Sequence, residues 1–397
     1  MIEISERLGR VEYAIRDIIL HAREYEKTGK KLLYLNIGDP VSFDFKTPLH
    51  IKNALIDALL NDSDYYTDSE GWPELRQSIV EKEFKKKGLD LTPSDVLVTN
   101  GVSEGIDMIM GSVIEEKDEI LLPGPYYPPY SSYAKFYGAN INEFKIFSDG
   151  TPDVDNIRKQ ITSKSKAICL INPSNPTGEA FDLKSLQSIV DIAAENNLLL
   201  ICDEIYDEIV FEDKFYGIGR VANDAPVILL NGFSKTYSMT GLRCGYLCIN
   251  NKSRQLDSIR QSIFKLARVR IASNFPVQIA ANAALNGPQD HIREMVIKLQ
   301  KRRDIVFKRL NELDGVYCKK PRGAFYVFPE IDLRNRWKND LYFVIDMLYS
   351  TGVLTVHGSG FGDSGYNHFR IVYLPNEDVL HEAMDKIELF MKNKIVT

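Results

Sequence analysis

Lys235 stands in Ser234-Lys235-Thr236-Tyr237, just past an apolar stretch, Val227 to Asn231, that reads as a strand. An amine held there, away from bulk water, has a lowered pKa and can form an imine with an aldehyde. Arg243, farther along the same segment, has the planar fork that suits a phosphate dianion. Asp203 follows another apolar stretch, Leu198 to Cys202. A buried carboxylate at a strand's end can keep a heterocyclic nitrogen protonated, although by itself Asp203 reads equally as a helix N-cap. Tyr206, shortly after it, can donate to a phenolate oxygen. The amide of Asn175, in Asn172-Pro173-Ser174-Asn175-Pro176-Thr177-Gly178, can do the same, yet an isolated Asn there reads first as a turn former.

Other segments add to this set. Gly101-Val102-Ser103 follows Val96 to Thr99 and opens a helix, so the amides of Val102 and Ser103 are candidate phosphate donors. Tyr127, in Tyr126-Tyr127-Pro128-Pro129-Tyr130, can stack on a flat ring, while Tyr126 and Tyr130 read equally as packing. Arg370, in His368-Phe369-Arg370-Ile371-Val372, is a charge among apolar strand residues. It needs a partner, which a substrate carboxylate or a structural ion pair would supply. Glu204 reads as a salt-bridge residue and His357 as a structural histidine. An aldehyde, a phosphate, a ring nitrogen and a phenolate oxygen together describe pyridoxal phosphate.

These residues need a scaffold that brings strand ends together. Apolar strand candidates fall at 96–99, 119–122, 141–146, 167–171, 198–202, 227–231 and 243–249. Helix candidates alternate with them, at 50–60, 103–115, 129–137, 183–196, 253–266 and 276–286. The alternation predicts an α/β fold with a mainly parallel, doubly wound sheet and a ligand site beyond the strands' carboxyl ends. The last hundred residues differ. A charged helix at 290–313, strands at 324–330, 353–356 and 368–374 and a helix at 377–393 predict a smaller α+β domain. Residues 1–45, with a short strand around 32–36, are expected to pack with it. The expected division is therefore a large domain at 46–290 and a small one made of 1–45 and 291–397.

Composition narrows the class. The 397 residues carry a formal net charge of −6, so nothing marks a nucleic-acid partner. Lys85-Lys86-Lys87 reads as a solvated helix end. The five cysteines are odd in number and lie mostly in apolar stretches, as free thiols of a reducing compartment would. Cys244 and Cys248 lack a second ligand pair, so no metal site is expected. The N-terminus has no secretory pattern, and no apolar run approaches a membrane span. The expectation is a soluble, cytoplasmic chain.

The ordered set of Tyr66 with Gly71, Gly101-Val102-Ser103, Tyr127, Asn175-Pro176-Thr177-Gly178, Asp203 with Tyr206, Ser234-Lys235, Arg243 and Arg370 resembles class I/II aminotransferases of PLP fold type I, over essentially the whole chain. The resemblance implies pyridoxal phosphate bound as an imine on Lys235 and a homodimer with shared active sites. It implies that Tyr66 reaches the phosphate of the neighbouring subunit's cofactor and that the Gly38 backbone meets the substrate carboxylate. One departure is Gly232, where many relatives carry a hydroxyl residue before the lysine. A phosphate contact is then missing or supplied by Ser234.

Within the family, Val11-Glu12-Tyr13-Ala14-Ile15-Arg16, Asn36-Ile37-Gly38-Asp39-Pro40 and Val356-His357-Gly358-Ser359-Gly360-Phe361-Gly362 look like alanine aminotransferases. Ser103 stands where some aspartate-specific relatives carry a lysine, which weakens the aspartate reading. The expected reaction moves an amino group from an L-amino acid, alanine first, to 2-oxoglutarate by a ping-pong mechanism. Arg16 is a candidate for the distal carboxylate of 2-oxoglutarate, and reads equally as an exposed helix cation. The alternatives are an aspartate or aromatic/kynurenine aminotransferase, or a C–S β-lyase on the same fold. A transcription regulator would need an added DNA-binding domain, and the pattern begins near residue 5.

Overall fold

The structure is a computed structural model that describes residues 4–11, 14–212, 214–334 and 336–395. Seven strands form its central sheet: β1 (Val96–Thr99), β2 (Glu119–Gly124), β3 (Asn140–Lys145), β4 (Ser165–Ile171), β5 (Leu199–Asp203), β6 (Val227–Gly232) and β7 (Gly245–Asn250). Their spatial order is β1-β7-β6-β5-β4-β2-β3. The fold is α/β, and the sheet is parallel except for β7, which runs antiparallel to both its neighbours. The reversal has a local cause. Between β6 and β7 the chain forms a loop and a single 3-10 turn, Thr240–Leu242, with no crossover helix to carry it back.

Alternation along the strands separates two cores. Leu199 and Ile201 face the helices Val102–Val113 and Asp257–Arg270, while Leu200 and Cys202 face the side of Leu186, Ile189 and Leu75. Both faces are covered, which is why these strands are apolar throughout. A third core gathers residues 14–45 with 295–391, and takes in Ile205, Tyr206 and Ile209 at the end of β5. It holds the antiparallel strands Tyr326–Val327, Phe369–Val372 and Val356–His357, and the parallel pair Leu33–Tyr34 with Val353–Leu354. All five cysteines are free and buried. Among the described residues, no helix is long and apolar enough to cross a membrane.

Two expectations need correction. The strand expected at 243–249 begins only at Gly245, and Arg243 sits before it in a left-handed turn at φ 55°. Lys87 is not solvated. It ends the helix Pro73–Lys87, which the apolar pattern does not reveal, and is 1% exposed. Leu75, Ile79, Glu83 and Lys87 form one buried stripe of that helix, so its inner face is half charged. The helices Val154–Gln160 and Asp340–Thr351 were likewise not anticipated.

Candidate active site

The carboxyl ends of β1, β4, β5 and β6 share one edge of the sheet, and a cavity of about 700 Å³ opens beyond them. The expected residues Gly38, Val102, Ser103, Tyr127, Asn175, Asp203, Tyr206, Ser234, Lys235, Arg243 and Arg370 all line it. Lys235 follows β6, Asp203 ends β5, Asn175 follows β4, and Val102 and Ser103 begin the helix after β1. Arg370 comes from the third core, on the strand Phe369–Val372. The cavity therefore joins two parts of the molecule.

The Lys235 amine donates to the Gly38 carbonyl at 2.7 Å. Burial pushes its pKa down to about 8, with Arg243 and Arg370 pushing the same way and Asp39 and Asp203 opposing them. Asp203 is 2% exposed. Its oxygens accept from the Ile205 amide and the Tyr130 hydroxyl, each at 3.1 Å. Burial outweighs those bonds and lifts the carboxyl to about 7. Among the described residues no cation forms an ion pair with Asp203.

Arg370 is fixed from several sides. It donates to Asn175 Oδ1 at 2.8 Å and to the Asn36 carbonyl at 2.5 Å, and its guanidinium lies against the rings of Tyr326 and Phe361. The contact with Asn175 is a hydrogen bond from the charged guanidinium to a neutral amide oxygen. Tyr206 shares a hydrogen bond of 2.8 Å with the Tyr326 hydroxyl. Arg243 donates to the carbonyls of Thr240 and Asn100 at 3.0 and 3.4 Å. Gly101, at φ 84°, lets that guanidinium pass beneath the helix start, since a Cβ there would run into it.

Residues 30–387 match the family described as aminotransferase class I and II. A solved alanine aminotransferase from Pyrococcus furiosus is 49% identical and superposes with a TM-score of 0.96, over 98% of this chain and 100% of that one. The glutamate-pyruvate aminotransferase AlaA of Haemophilus influenzae is 36% identical over 98% of each chain. The alanine aminotransferase of Mycobacterium bovis is 35% identical over 98% of this chain and 92% of its own. The chain belongs to the class I and II aminotransferases. That family works with pyridoxal phosphate.

The residues of this aminotransferase fit that cofactor. Asp203 is a buried carboxylate whose own donors are neutral, and a protonated ring nitrogen is the cation it lacks among the described residues. Lys235 is a half-buried amine whose pKa is pushed down to about 8, which raises the share of free amine that can meet an aldehyde. The turn at Gly101 and the Arg243 fork lie together at one end, where a phosphate would meet amides and a guanidinium. At Gly232 a Cβ would lie 3.0 Å from the Cys244 carbonyl oxygen and from Gly245 Cα. The pairing of β6 with β7 is therefore tight at this position, and Ser234, in the cavity wall, keeps a hydroxyl nearby.

Of the other expected residues, Gly101 lies against the Arg243 guanidinium, while Tyr66 lies apart from the cavity. Tyr66 is 80% exposed and lines a separate surface hollow with Leu59 and Tyr65. The Arg16 side chain lies outside the described residues. Sequence reasoning missed three others. Tyr130 was left between packing and function, and its hydroxyl in fact contacts Asp203. Tyr326 falls within the strand expected at 324–330 and Asp39 within the segment Asn36-Ile37-Gly38-Asp39-Pro40, and both line the cavity. Tyr326 pairs with Tyr206 across the two parts of the fold, a contact that only tertiary structure can supply.

Proposed function

We propose that this aminotransferase moves the amino group of L-alanine to 2-oxoglutarate, in two half-reactions at one site. The observation that carries the reading is the meeting of Lys235, Asp203 and Arg370 in a single cavity, the lysine half-buried, the other two buried, and each held by other groups. The alanine aminotransferases among the relatives support the choice of donor. The glutamate-pyruvate relative supports the choice of acceptor.

Lys235, Asp203, Tyr206, Asn175, Ser234, Arg243, Tyr127 and the turn Gly101-Val102-Ser103 would hold the cofactor. When bound, pyridoxal phosphate supplies a ring that takes up the electron pair left as a proton leaves the substrate Cα. The rest is the chain's own work. The Arg370 fork orients the substrate carboxylate, and the Gly38 backbone lies on the same side. Asp203 stays ionised opposite the ring nitrogen. The Lys235 amine, with its pKa near 8, accepts the Cα proton at Nζ and returns it. Tyr127, in the cavity wall, would offer its ring to the cofactor, and the rings of Tyr326 and Phe361 lie against the Arg370 fork.

The chain works as a homodimer in this reading, with Tyr66 completing the neighbour's phosphate site. Its exposure supports that, as do the exposed Ile56, Leu59, Leu60 and Tyr65 around it. Free buried thiols fit the cytoplasm. Residues 46–290 would form the large domain and 1–45 with 291–397 the small one.

Single-turnover spectra with a panel of amino acids test the proposal. L-alanine should convert the cofactor to its pyridoxamine form faster than L-aspartate or L-tyrosine, and Lys235→Ala should abolish conversion. Faster conversion by aspartate would reassign the donor. Pyruvate, ammonia and a thiol released from a cysteine S-conjugate, with no pyridoxamine formed, would make the chain a lyase.

A further inference from the structure

Residues 36–42 run along one wall of the cavity, and their backbone meets both reacting cations. The Asn36 carbonyl accepts from Arg370 and the Gly38 carbonyl from Lys235. No side chain fits at 38, where a Cβ would lie 2.7 Å from the Phe325 ring. Asp39 follows immediately, lines the same cavity, and has no part in the chemistry described above.

Its carboxylate is fixed in one orientation. Oδ1 accepts from the Thr240 hydroxyl at 2.7 Å and the Val41 amide at 3.1 Å. Oδ2 accepts from the Ser42 hydroxyl at 2.8 Å. The Thr240 carbonyl in turn accepts from Arg243, so one turn holds both Asp39 and the phosphate-end cation. Thr47 adds a bond of 2.6 Å to the Ser238 carbonyl, a further tie between this wall and the lysine loop.

The electrostatics follow from that geometry. Burial pushes the Asp39 carboxyl up, but the bonds from Thr240, Ser42 and Val41, with the charge of Lys235, outweigh it and hold it below the usual carboxylate range. Around Lys235 the charged groups are Asp39 and Asp203 on one side of the balance, Arg243 and Arg370 on the other. Of these, Asp39 acts most strongly.

We propose that Asp39 is a positioning residue for Lys235: it anchors the wall whose Gly38 carbonyl holds the amine and places a fixed negative charge in the same cavity, so that Nζ can hold the proton leaving the substrate. The inference rests on Lys235 being the proton carrier, and its test keeps the two apart.

Lys235 is titrated in the apoprotein by the pH dependence of its competitive labelling with acetic anhydride, read by peptide mass spectrometry. Asp39→Asn keeps size and hydrogen-bonding atoms but removes the charge, and the apparent pKa of Lys235 falls by roughly one unit. Thr240→Val frees the carboxylate to turn away and shifts the amine in the same direction by less. In the holoenzyme Asp39→Asn lowers kcat with L-alanine about tenfold while KM stays within about twofold, and the pH dependence of kcat moves down. A Lys235 pKa unmoved in Asp39→Asn overturns the proposal whatever happens to turnover. Should that variant fail to fold, an amine unmoved in Thr240→Val overturns it. Turnover retained by Lys235→Ala overturns instead the reading of Lys235 itself.

Discussion

Asp203 and Asp207 stand four positions apart at the end of one strand, and both are buried. Their surroundings drive them in opposite directions. Asp207 pairs with Lys82 and Lys87 at 2.8 Å and accepts from the Asn231 amide at 2.8 Å. Burial raises its carboxyl, yet the two lysines outweigh burial and hold it far below the usual range. Asp203 has only neutral donors, and burial lifts it to about 7. The lysines bind Glu83 and Glu204 as well, so the region of Asp207 is a closed network within the chain. The cavity is not closed in this way. Its carboxyl is lifted to about 7 by burial with no cation of the described residues paired to it, and its amine is pushed down to about 8 by burial in spite of the Asp39 charge. The lysine network around Asp207 is closed by opposite charges of the chain, whereas the buried Asp203 carboxylate is left for a cation from outside.

The contrast can be broken first at the network. Lys87→Met leaves Glu83, Glu204 and Asp207 facing Lys82 alone, and should destabilise the apoprotein by about 3–5 kcal/mol in urea unfolding. A cost below about 1 kcal/mol would mean that the network is already dispensable.

The opposite sign is expected at the cavity. A carboxyl whose folded pKa is raised contributes stability that is full below its unfolded pKa, about 4, and is lost as pH rises to about 7. Asp203→Asn should therefore make the apoprotein more stable at pH 8, by about 3 kcal/mol, while weakening its hold on the cofactor. At pH 4 the gain should vanish. For Asp207 the sign reverses: its contribution is full above the usual carboxylate pKa and fades only as pH falls through its own depressed value. Melting curves of the two apoproteins across pH separate these cases. The smallest effect is expected at Tyr130. Tyr130→Phe removes one donor from the Asp203 carboxylate, raising its pKa further, and should weaken cofactor retention about tenfold, measured by equilibrium dialysis.

The same contrast explains what could be read from the chain. β1 and β6 were visible because strands covered on both faces are apolar runs with polar residues at their ends, and those ends carry Gly101 and Lys235. The helix Pro73–Lys87 was not, because Glu83 and Lys87 take core positions that the apolar pattern reserves for hydrophobic residues. At the site, residues whose chemistry follows from their type and place were legible: Lys235, Asp203, Arg243, Arg370 and Asn175. Tyr130 and Tyr326 were not, since a tyrosine's role depends on where its hydroxyl points, and Asp39 was hidden in a turn motif. Tyr66 was legible as a motif, but the single chain leaves it outside the cavity.

The central claim is that one amine, opposite one unpaired carboxylate, carries the cofactor. Borohydride reduction of the holoenzyme followed by peptide mapping tests it most directly. The account predicts a single pyridoxyl group, on Lys235, and its absence after treatment of Lys235→Ala. A pyridoxyl group on any other lysine of the wild-type chain, or none, would contradict it.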